Sequence, residues 1–224
     1  MININDQETL FNNIGRNLPD KLSSYAIGGT AMMLLGLKAE TKDIDLVFDK
    51  ESDRKLFIKT LEGMKFRKDE KRIIETYGLK RNTPMMLRLE SDKFIFDLFL
   101  NKVITSTFSE RMKERAKQTH EFGRNLIIKV AEPCDIVIMK SATSRAKDME
   151  DIISIITNTK MNWEILVKES EEQVKLGNET AINSLGEKLE KLDNQGAITL
   201  PKDVLDSLWK MLKKQVKNKS SARK

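Results

Sequence analysis

The sequence of 224 residues, 39% of them hydrophobic and 33% charged, is long enough for one large domain or two small ones with a buried core. Its single cysteine, Cys134, and single histidine, His120, exclude an internal disulfide and the usual zinc sites, so any metal ligands are expected to be oxygen atoms. No apolar run reaches the roughly 18 residues of a membrane span and the amino terminus lacks a signal-peptide pattern, which predicts a cytoplasmic protein without membrane contact, while the net charge of +6 favours an anionic partner.

The first structural signals are a helix and a glycine turn. Apolar side chains at helical spacing predict a helix over residues 7–18, ended by the Pro19-Asp20 pair. Gly28 and Gly29 then follow a short apolar run and precede a second helical stretch, which predicts a strand, a tight turn and a helix start. Such a turn can hold a phosphate, because the glycines let the backbone approach an anion and the free N–H groups point at it. Thr30 is expected to cap the helix or to donate its hydroxyl to the same anion.

A pair of aspartates follows in the segment Asp43-Ile-Asp45-Leu-Val-Phe48. Side chains alternate between the two faces of a strand, so Asp43 and Asp45 are expected on one face, with Ile44 directed into a core. The two carboxylates, roughly 7 Å apart along the strand, are the oxygen ligands that Mg²⁺ prefers alongside substrate phosphates. A phosphate cradle and a carboxylate pair therefore predict a site for a nucleotide and a metal ion.

The next segments predict a helix over residues 52–64, a short strand over 73–79 and a hairpin formed by 85–90 and 93–100. Within the second hairpin strand, Asp97 is a single acid among apolar residues, and a buried charge needs a partner or a metal. An edge-strand aspartate satisfied by an arginine is one explanation. The other is that Asp97 joins Asp43 and Asp45 in a carboxylate triad that shares a metal and accepts the proton of an attacking hydroxyl.

The second half of the chain is predicted to be mainly helical. Residues 108–118 are expected to form an exposed helix or loop, 126–130 a strand, and Pro133 to open a helix that carries Lys140. The further helical stretches that the apolar spacing predicts are 146–156, one starting at 162–164, 182–192 and 200–216. Spacing alone explains these charged residues as ordinary surface ion pairs: Lys140, Arg145, Lys147, Asp148 and Asp151. Residues from about 213 to 224 form a basic tail, expected to be frayed, that can contact nucleic-acid phosphate.

Taken together, Gly28-Gly29-Thr30, Asp43-Ile-Asp45 and the later Asp97 resemble the signature of the DNA polymerase β-like nucleotidyltransferase superfamily. This resemblance implies an α+β fold, with a mixed β-sheet flanked by helices and followed by an α-helical carboxyl-terminal region. It places a catalytic domain in residues 1–130 and a helical domain, which completes the nucleotide site, in residues 131–224.

A closer resemblance covers residues 24–156. The segments Lys38-Ala-Glu-Thr41-Lys-Asp43-Ile-Asp45 and Lys140-Ser-Ala-Thr-Ser-Arg145-Ala-Lys-Asp148-Met-Glu-Asp151 are similar to blocks of abortive-infection and type IV toxin–antitoxin nucleotidyltransferases. The resemblance implies that Lys38, Thr41, Lys140 and Asp148 belong to the nucleotide site, together with Arg145 and Asp151. The later block and the whole chain are shorter than the familiar members.

The implied reaction transfers a nucleoside monophosphate from a nucleoside triphosphate to a hydroxyl acceptor, with Mg²⁺ or Mn²⁺ held by Asp43, Asp45 and Asp97. Gly28, Gly29 and Thr30 would hold the β- and γ-phosphates. RNA, tRNA in particular, is the expected acceptor, and an antitoxin protein is a further expected partner. The alternatives are nucleotidylation of a small molecule, as in antibiotic-modifying enzymes, or of a protein, and a module that binds nucleotide or RNA without catalysis.

Overall fold

The computed structural model describes residues 1–68, 86–91, 93–143 and 145–221. Contacts within the chain define two compact units, one of Met1–Ile104 with Lys113–Ala131 and one of Thr105–Met112 with Glu132–Lys224. The sequence placed residues 105–112 with the catalytic domain, whereas their contacts are with the helical unit. In the part of the chain that the structure describes, no helix is both long and apolar enough to cross a membrane.

The first unit is built on a mixed β-sheet. The strands of the first unit are β1 (Ile2–Asn3), β2 (Leu22–Ala26), β3 (Glu40–Thr41), β4 (Ile44–Phe48), β5 (Arg67–Lys68), β6 (Met86–Glu90), β7 (Ile95–Leu100), β8 (Lys102–Val103), β10 (Thr119–Phe122) and β11 (Leu126–Val130). The main sheet has the order β10-β11-β2-β4-β7-β6-β5. The pairs β11–β2 and β4–β7 are parallel, and the other pairs are antiparallel. The α+β fold class with a mixed sheet is confirmed.

Two helices cover one face of this sheet. Helix α1 (Ile4–Asn17) starts with a capping box between Asn3 and Asp6, and α3 (Glu51–Gly63) follows β4. The ring of Phe57 on α3 lies 5.3 Å from that of Phe48 and 5.7 Å from that of Phe96, so alternate residues of β4 and β7 form the core on this side. The intervening residues of these two strands, including Asp45 and Asp97, therefore face the opposite side of the sheet.

The hairpin and both helices agree with the sequence predictions. The strands β6 and β7 pair in antiparallel register, and the Ser91 N–H donates to the Phe94 carbonyl at 2.9 Å. The strand predicted over residues 73–79 lies outside the described residues. The structure adds β10, which the sequence analysis did not predict, next to β11 at one end of the sheet.

The second unit is helical apart from the short β9 (Ser106–Thr107). Its helices are α5 (Pro133–Lys140), α6 (Ala146–Asn158), α7 (Trp163–Lys175), α8 (Glu179–Asn194) and α9 (Lys202–Ser221). The helical region predicted from the sequence is confirmed. The basic tail predicted from about 213 is part of α9 as far as Ser221, and its fraying stays a prediction.

Buried polar side chains attach residues 105–112 to α7 within the second unit. The side chain of Gln173 accepts the Thr107 N–H at 2.9 Å and donates to the Thr107 carbonyl at 2.7 Å. The Ser109 hydroxyl donates to Glu169 Oε1 at 2.7 Å. Helix α4 (Glu110–Arg115) follows, and Met112 in it is fully buried. An exposed helix or loop was expected in residues 108–118; the helix is present and its Glu110 and Arg111 are exposed, but Met112 is buried.

Candidate active site

Asp45 and Asp97 are neighbours on adjacent strands. In the parallel pair β4–β7, Asp45 is the register partner of Asp97, so both side chains project from the same face of the sheet. Asp97 is completely buried and Asp45 is half-buried. Strand β7 lies between β4 and β6, so Asp97 is on an interior strand and the expected edge position is wrong. Arg88 of β6 is the register partner of Asp97, so the explanation by an arginine stays a prediction. The two carboxylates thus share one site although 52 positions separate them in the sequence.

Asp43 lies one residue before β4 and is half-buried. Among the described residues, no three His, Cys, Asp or Glu side chains form a group that could hold a metal ion by themselves. Asp43, Asp45 and Asp97 therefore do not form a closed three-carboxylate site. Mg²⁺ is commonly held by one or two carboxylates, with waters and substrate phosphates as the other ligands. The carboxylate oxygens fit that open kind of site, and the triad stays a prediction.

The glycine turn lies directly against Asp45. Gly28 has a φ of +54°, and a Cβ at this position would lie 2.6 Å from Oδ2 of Asp45. At Gly29 a Cβ would lie 2.4 Å from Oγ1 of Thr41. The positive φ favours glycine at position 28, and a Cβ at either position would displace the neighbouring side chain. The two glycines therefore let α2 (Gly28–Leu34) start this close to β3 and β4. The structure thereby brings Gly28 next to Asp45 and Gly29 next to Thr41.

Thr30 has a different role from the predicted helix cap. The cap position of α2 is Ile27, and α2 has no side-chain cap. The Thr30 side chain is completely buried, and its hydroxyl oxygen accepts the main-chain N–H of Asp45 at 2.8 Å. Thr30 therefore fixes the backbone that carries Asp45. Of the other predicted residues, Thr41 is buried in β3 and Lys38 is half-buried in the segment before it.

The second unit contains a buried ionic cluster around Lys140. The Nζ atom of Lys140, at the end of α5, lies 3.0 Å from Asp148 Oδ1 and 2.5 Å from Asp151 Oδ2, both on α6. The exposed fractions of these three side chains are 8%, 4% and 9%. Arg145 Nε lies 2.8 Å from Asp148 Oδ2, but the Arg145 side chain is 47% exposed. The interpretation of these residues as surface ion pairs is wrong for all except Arg145.

The charges in this cluster oppose the effect of burial on ionisation. Burial alone would lower the pKa of Lys140, but the negative charges of Asp148 and Asp151 outweigh it and hold this pKa above its ordinary value. Burial alone would raise the pKa of Asp148. The charge of Lys140 and hydrogen bonds from Thr143 and Arg145 outweigh it, so the pKa of Asp148 is lowered. Each partner therefore stabilises the ionised form of the other.

A family model described as "nucleotidyltransferase of unknown function" (DUF6036) matches residues 9–195. This stretch covers most of the chain and includes the glycine turn, the three aspartates and the Lys140 cluster. The chain belongs to this family of nucleotidyltransferases. A search of curated proteins found no match to the sequence.

Two residues that contact the Lys140 cluster in this nucleotidyltransferase, Thr143 and Lys188, were missed by the sequence analysis. The Thr143 hydroxyl donates to Asp148 Oδ2, and Lys188 Nζ on α8 donates to the carbonyls of Ser141, at 2.5 Å, and Thr143. Burial lowers the pKa of Lys188. Thr143 lies inside the block that begins at Lys140, so a local signal was present. No local signal indicated Lys188, which is 45 positions from Thr143.

The Thr30 contact leads to a prediction about the placement of Asp45 in the nucleotidyltransferase. Thr30→Val keeps the size of the side chain but leaves the Asp45 N–H without its acceptor, which should lower the free energy of unfolding by about 1–3 kcal/mol. Because a small displacement of a catalytic group has a large effect, transfer should slow by about 10- to 100-fold. Denaturant unfolding and single-turnover assays measure the two effects. Thr30→Ser retains the hydroxyl and is expected to restore the rate, and equal loss in both variants would contradict this role.

Proposed function

We propose that this chain is a Mg²⁺-dependent nucleotidyltransferase that moves a nucleoside monophosphate from a nucleoside triphosphate to a hydroxyl group of RNA, with tRNA as the expected acceptor. The observation that carries the proposal is the register of Asp45 with Asp97, with the Gly28 turn against the same carboxylate. The family match supports nucleotidyl transfer. Together these features supply a carboxylate pair beside a main-chain turn that can accommodate phosphate.

In the first unit, transfer of the nucleoside monophosphate to the acceptor hydroxyl requires only a few side chains. The acceptor hydroxyl oxygen forms a bond to the α-phosphorus while the bond from that phosphorus to the bridging oxygen breaks, so pyrophosphate leaves with the electron pair. Asp97 accepts the hydroxyl proton, and Asp43 and Asp45 are the residues that would hold the metal ion. A bound Mg²⁺ would supply charge neutralisation on the phosphate oxygens. Thr30 holds the main chain of Asp45 through the bond described above.

For the second unit we assign nucleotide-phosphate contact to Arg145. Its guanidinium is the exposed cation of the Lys140 cluster, whereas the Lys140 ammonium is buried between two carboxylates. Guanidinium groups suit phosphate recognition, because their fork of N–H groups matches phosphate oxygens. Lys140 and Asp148 are then the residues that position Arg145 and the start of α6.

The proposal of an RNA acceptor is supported by the net charge of +6. A role as the toxin of a toxin–antitoxin pair, with an antitoxin protein as partner, is supported by the resemblance of the Lys38–Asp45 and Lys140–Asp151 segments to that group. Small-molecule or protein hydroxyls would not require a basic surface. Strong salt dependence of acceptor binding would therefore separate RNA from these alternatives.

The direct test is incubation of the purified protein and Mg²⁺ with each α-labelled nucleoside triphosphate, with and without total cellular RNA. We expect label in an RNA band for one or two of the four nucleotides, dependent on Mg²⁺. Bound nucleotide should also raise the melting temperature, by an amount that grows with the logarithm of its concentration above Kd.

The outcomes of this assay separate the candidate functions. Label in the protein itself or in an added aminoglycoside, and none in RNA, would replace the RNA acceptor by one of the other hydroxyls. Nucleotide binding without any transfer would favour a binding module. Growth arrest on expression, present for the wild type and absent for an inactive variant, is the result expected of a toxin.

A further inference from the structure

The excess positive charge of the chain is located at its carboxyl-terminal end. Residues 207–224 contain seven Lys or Arg and no Asp or Glu. The other 206 residues therefore contain 33 basic and 34 acidic side chains, a net charge of −1. The family match ends at residue 195, before this segment begins. The basic character of the protein thus comes from the last helix and the residues that follow it.

Within α9, three of these cations share one face. Lys210, Lys213 and Lys214 are spaced i, i+3 and i+4, and all three are exposed. Together with Trp209 and Asp206 they line a surface groove of about 610 Å³, here named the α9 groove. This spacing puts Lys213 and Lys214 about one helical turn from Lys210.

Trp209 forms an aromatic wall of the α9 groove. Its indole packs against Gly186 of α8, where a Cβ would lie 2.7 Å from ring atom Cη2. The absence of a side chain at position 186 therefore lets the ring lie close to α8. The indole stays half-buried, so part of the ring is open to a ligand. A fixed aromatic ring beside exposed cations suits a nucleobase with its phosphate.

We propose that the α9 groove binds the phosphate backbone of the RNA acceptor, with Trp209 as a stacking surface for a base. This inference rests on the proposed function, because that function supplies the reason for RNA binding. Lysines that contact phosphates release counterions, which gives affinity with strong salt dependence. Base stacking on an aromatic ring tolerates any sequence, because every base has a π-face. The groove therefore serves general retention of RNA and does not select a sequence.

The test is binding of a fluorescein-labelled 20-nucleotide single-stranded RNA to the full chain, followed by anisotropy between 50 and 300 mM salt. The α9 variant combines Lys210→Gln, Lys213→Gln and Lys214→Gln. It should reduce the slope of log affinity against log salt concentration by about 2, since each contacted phosphate of a single strand contributes about 0.7. At 0.1 M salt this is a loss of affinity of about 100-fold. In a Trp163→Phe background, the fluorescence of Trp209 should be quenched with the same Kd.

A charge-matched control tests whether position matters. Lys21, Lys55 and Lys59 are exposed lysines of the first unit, and the triple Gln variant of these three has the same net charge as the α9 variant. This control should bind RNA as the wild type does. Equal loss in both variants, or no quenching of Trp209, would overturn the proposal. Tighter binding of polyglutamate than of RNA would also overturn it and would indicate an acidic protein partner.

Failure of this inference is distinguishable from failure of the proposed function. Binding is measured without nucleotide, so it needs no catalysis. If the α9 variant binds RNA as tightly as the wild type does, and nucleotide transfer is active, only the proposal for the α9 groove is overturned. Loss of binding in that variant supports the groove even if no nucleotide is transferred to any acceptor, a result that would contradict the proposed function.

Discussion

Asp45→Asn is expected to slow nucleotide transfer by at least about a thousandfold while the fold is retained. The substitution keeps the size of the side chain and the main-chain bond to Thr30, but removes one negative charge beside Asp97. If Asp45 holds the proposed metal ion, loss of its charge removes several kcal/mol of transition-state stabilisation, and each 1.36 kcal/mol corresponds to a factor of about ten in rate. Single-turnover transfer of labelled nucleotide measures the rate, and thermal unfolding checks the fold.

The control for this variant is Asp53→Asn. Asp53 is a half-buried aspartate in the first turn of α3, and its carboxylate accepts the hydroxyl of Ser52 at 3.1 Å. Loss of its charge should leave the transfer rate unchanged. Asp43→Ala and Asp45→Ala should both be inactive, and full activity of the double variant would refute the assignment of the carboxylates.

Local signals predicted the elements, but not the order of the strands. The apolar spacing that predicted α1 and α3, and the two apolar runs of the β6–β7 hairpin, lie within short segments, where periodicity reports burial directly. The pairing of β2 with β11 joins residues about 100 positions apart in the sequence, such as Ser24 with Ile128. Such pairing depends on packing of the whole unit, so no local pattern predicts it.

The residues of the candidate site were predicted from the chemistry of their side chains, whereas the role of Thr30 was predicted wrongly because it depends on how α2 packs against β4. Asp97 was identified because a charge in an apolar strand needs a reason, and its register with Asp45 agrees with a shared site. Thr30 was assigned a capping role because a hydroxyl near a helix start is commonly a cap. In the structure α2 already begins at Gly28, so the hydroxyl of Thr30 reaches β4.

The Lys140 cluster shows the limit of spacing arguments. Asp148 and Asp151 lie three apart on α6, a pattern equally typical of an exposed ion-pair network. Their burial follows from the packing of α5 against α6 and from Lys188, which α8 contributes at the connection between those helices. A residue from a distant helix cannot be seen in the local pattern. The same is true of α9, whose sequence resembles a basic tail but forms a helix as far as Ser221.

Asp148→Asn is expected to lower the free energy of unfolding by about 3–5 kcal/mol, because breaking a buried ion pair leaves part of the Lys140 charge uncompensated. The effect should depend on pH. Since the pKa of Asp148 is lower in the folded protein, its contribution is present above the unfolded value near 3.9 and is lost as the pH falls through the folded pKa. The difference between wild type and variant, measured by urea unfolding, should therefore shrink in acid.

At alkaline pH the contribution of Lys140 to stability changes in the opposite direction. Because the pKa of Lys140 is raised, its contribution is complete below the unfolded value near 10.4 and is lost only as the pH rises through the folded pKa. Between these limits the destabilisation by Asp148→Asn should be constant. Glu164→Gln is the control, because its carboxylate pairs with Lys168 through side chains 74% and 61% exposed and should affect stability little.

Arg145→Gln separates structure from function in the same cluster. The Arg145 side chain is 47% exposed, so its loss should change the stability of the free protein much less than Asp148→Asn does. If Arg145 contacts nucleotide phosphate, the rise in melting temperature caused by a nucleoside triphosphate should decrease in this variant. An unchanged rise would leave the Lys140 cluster with a structural role only, since its remaining charged groups are buried against one another.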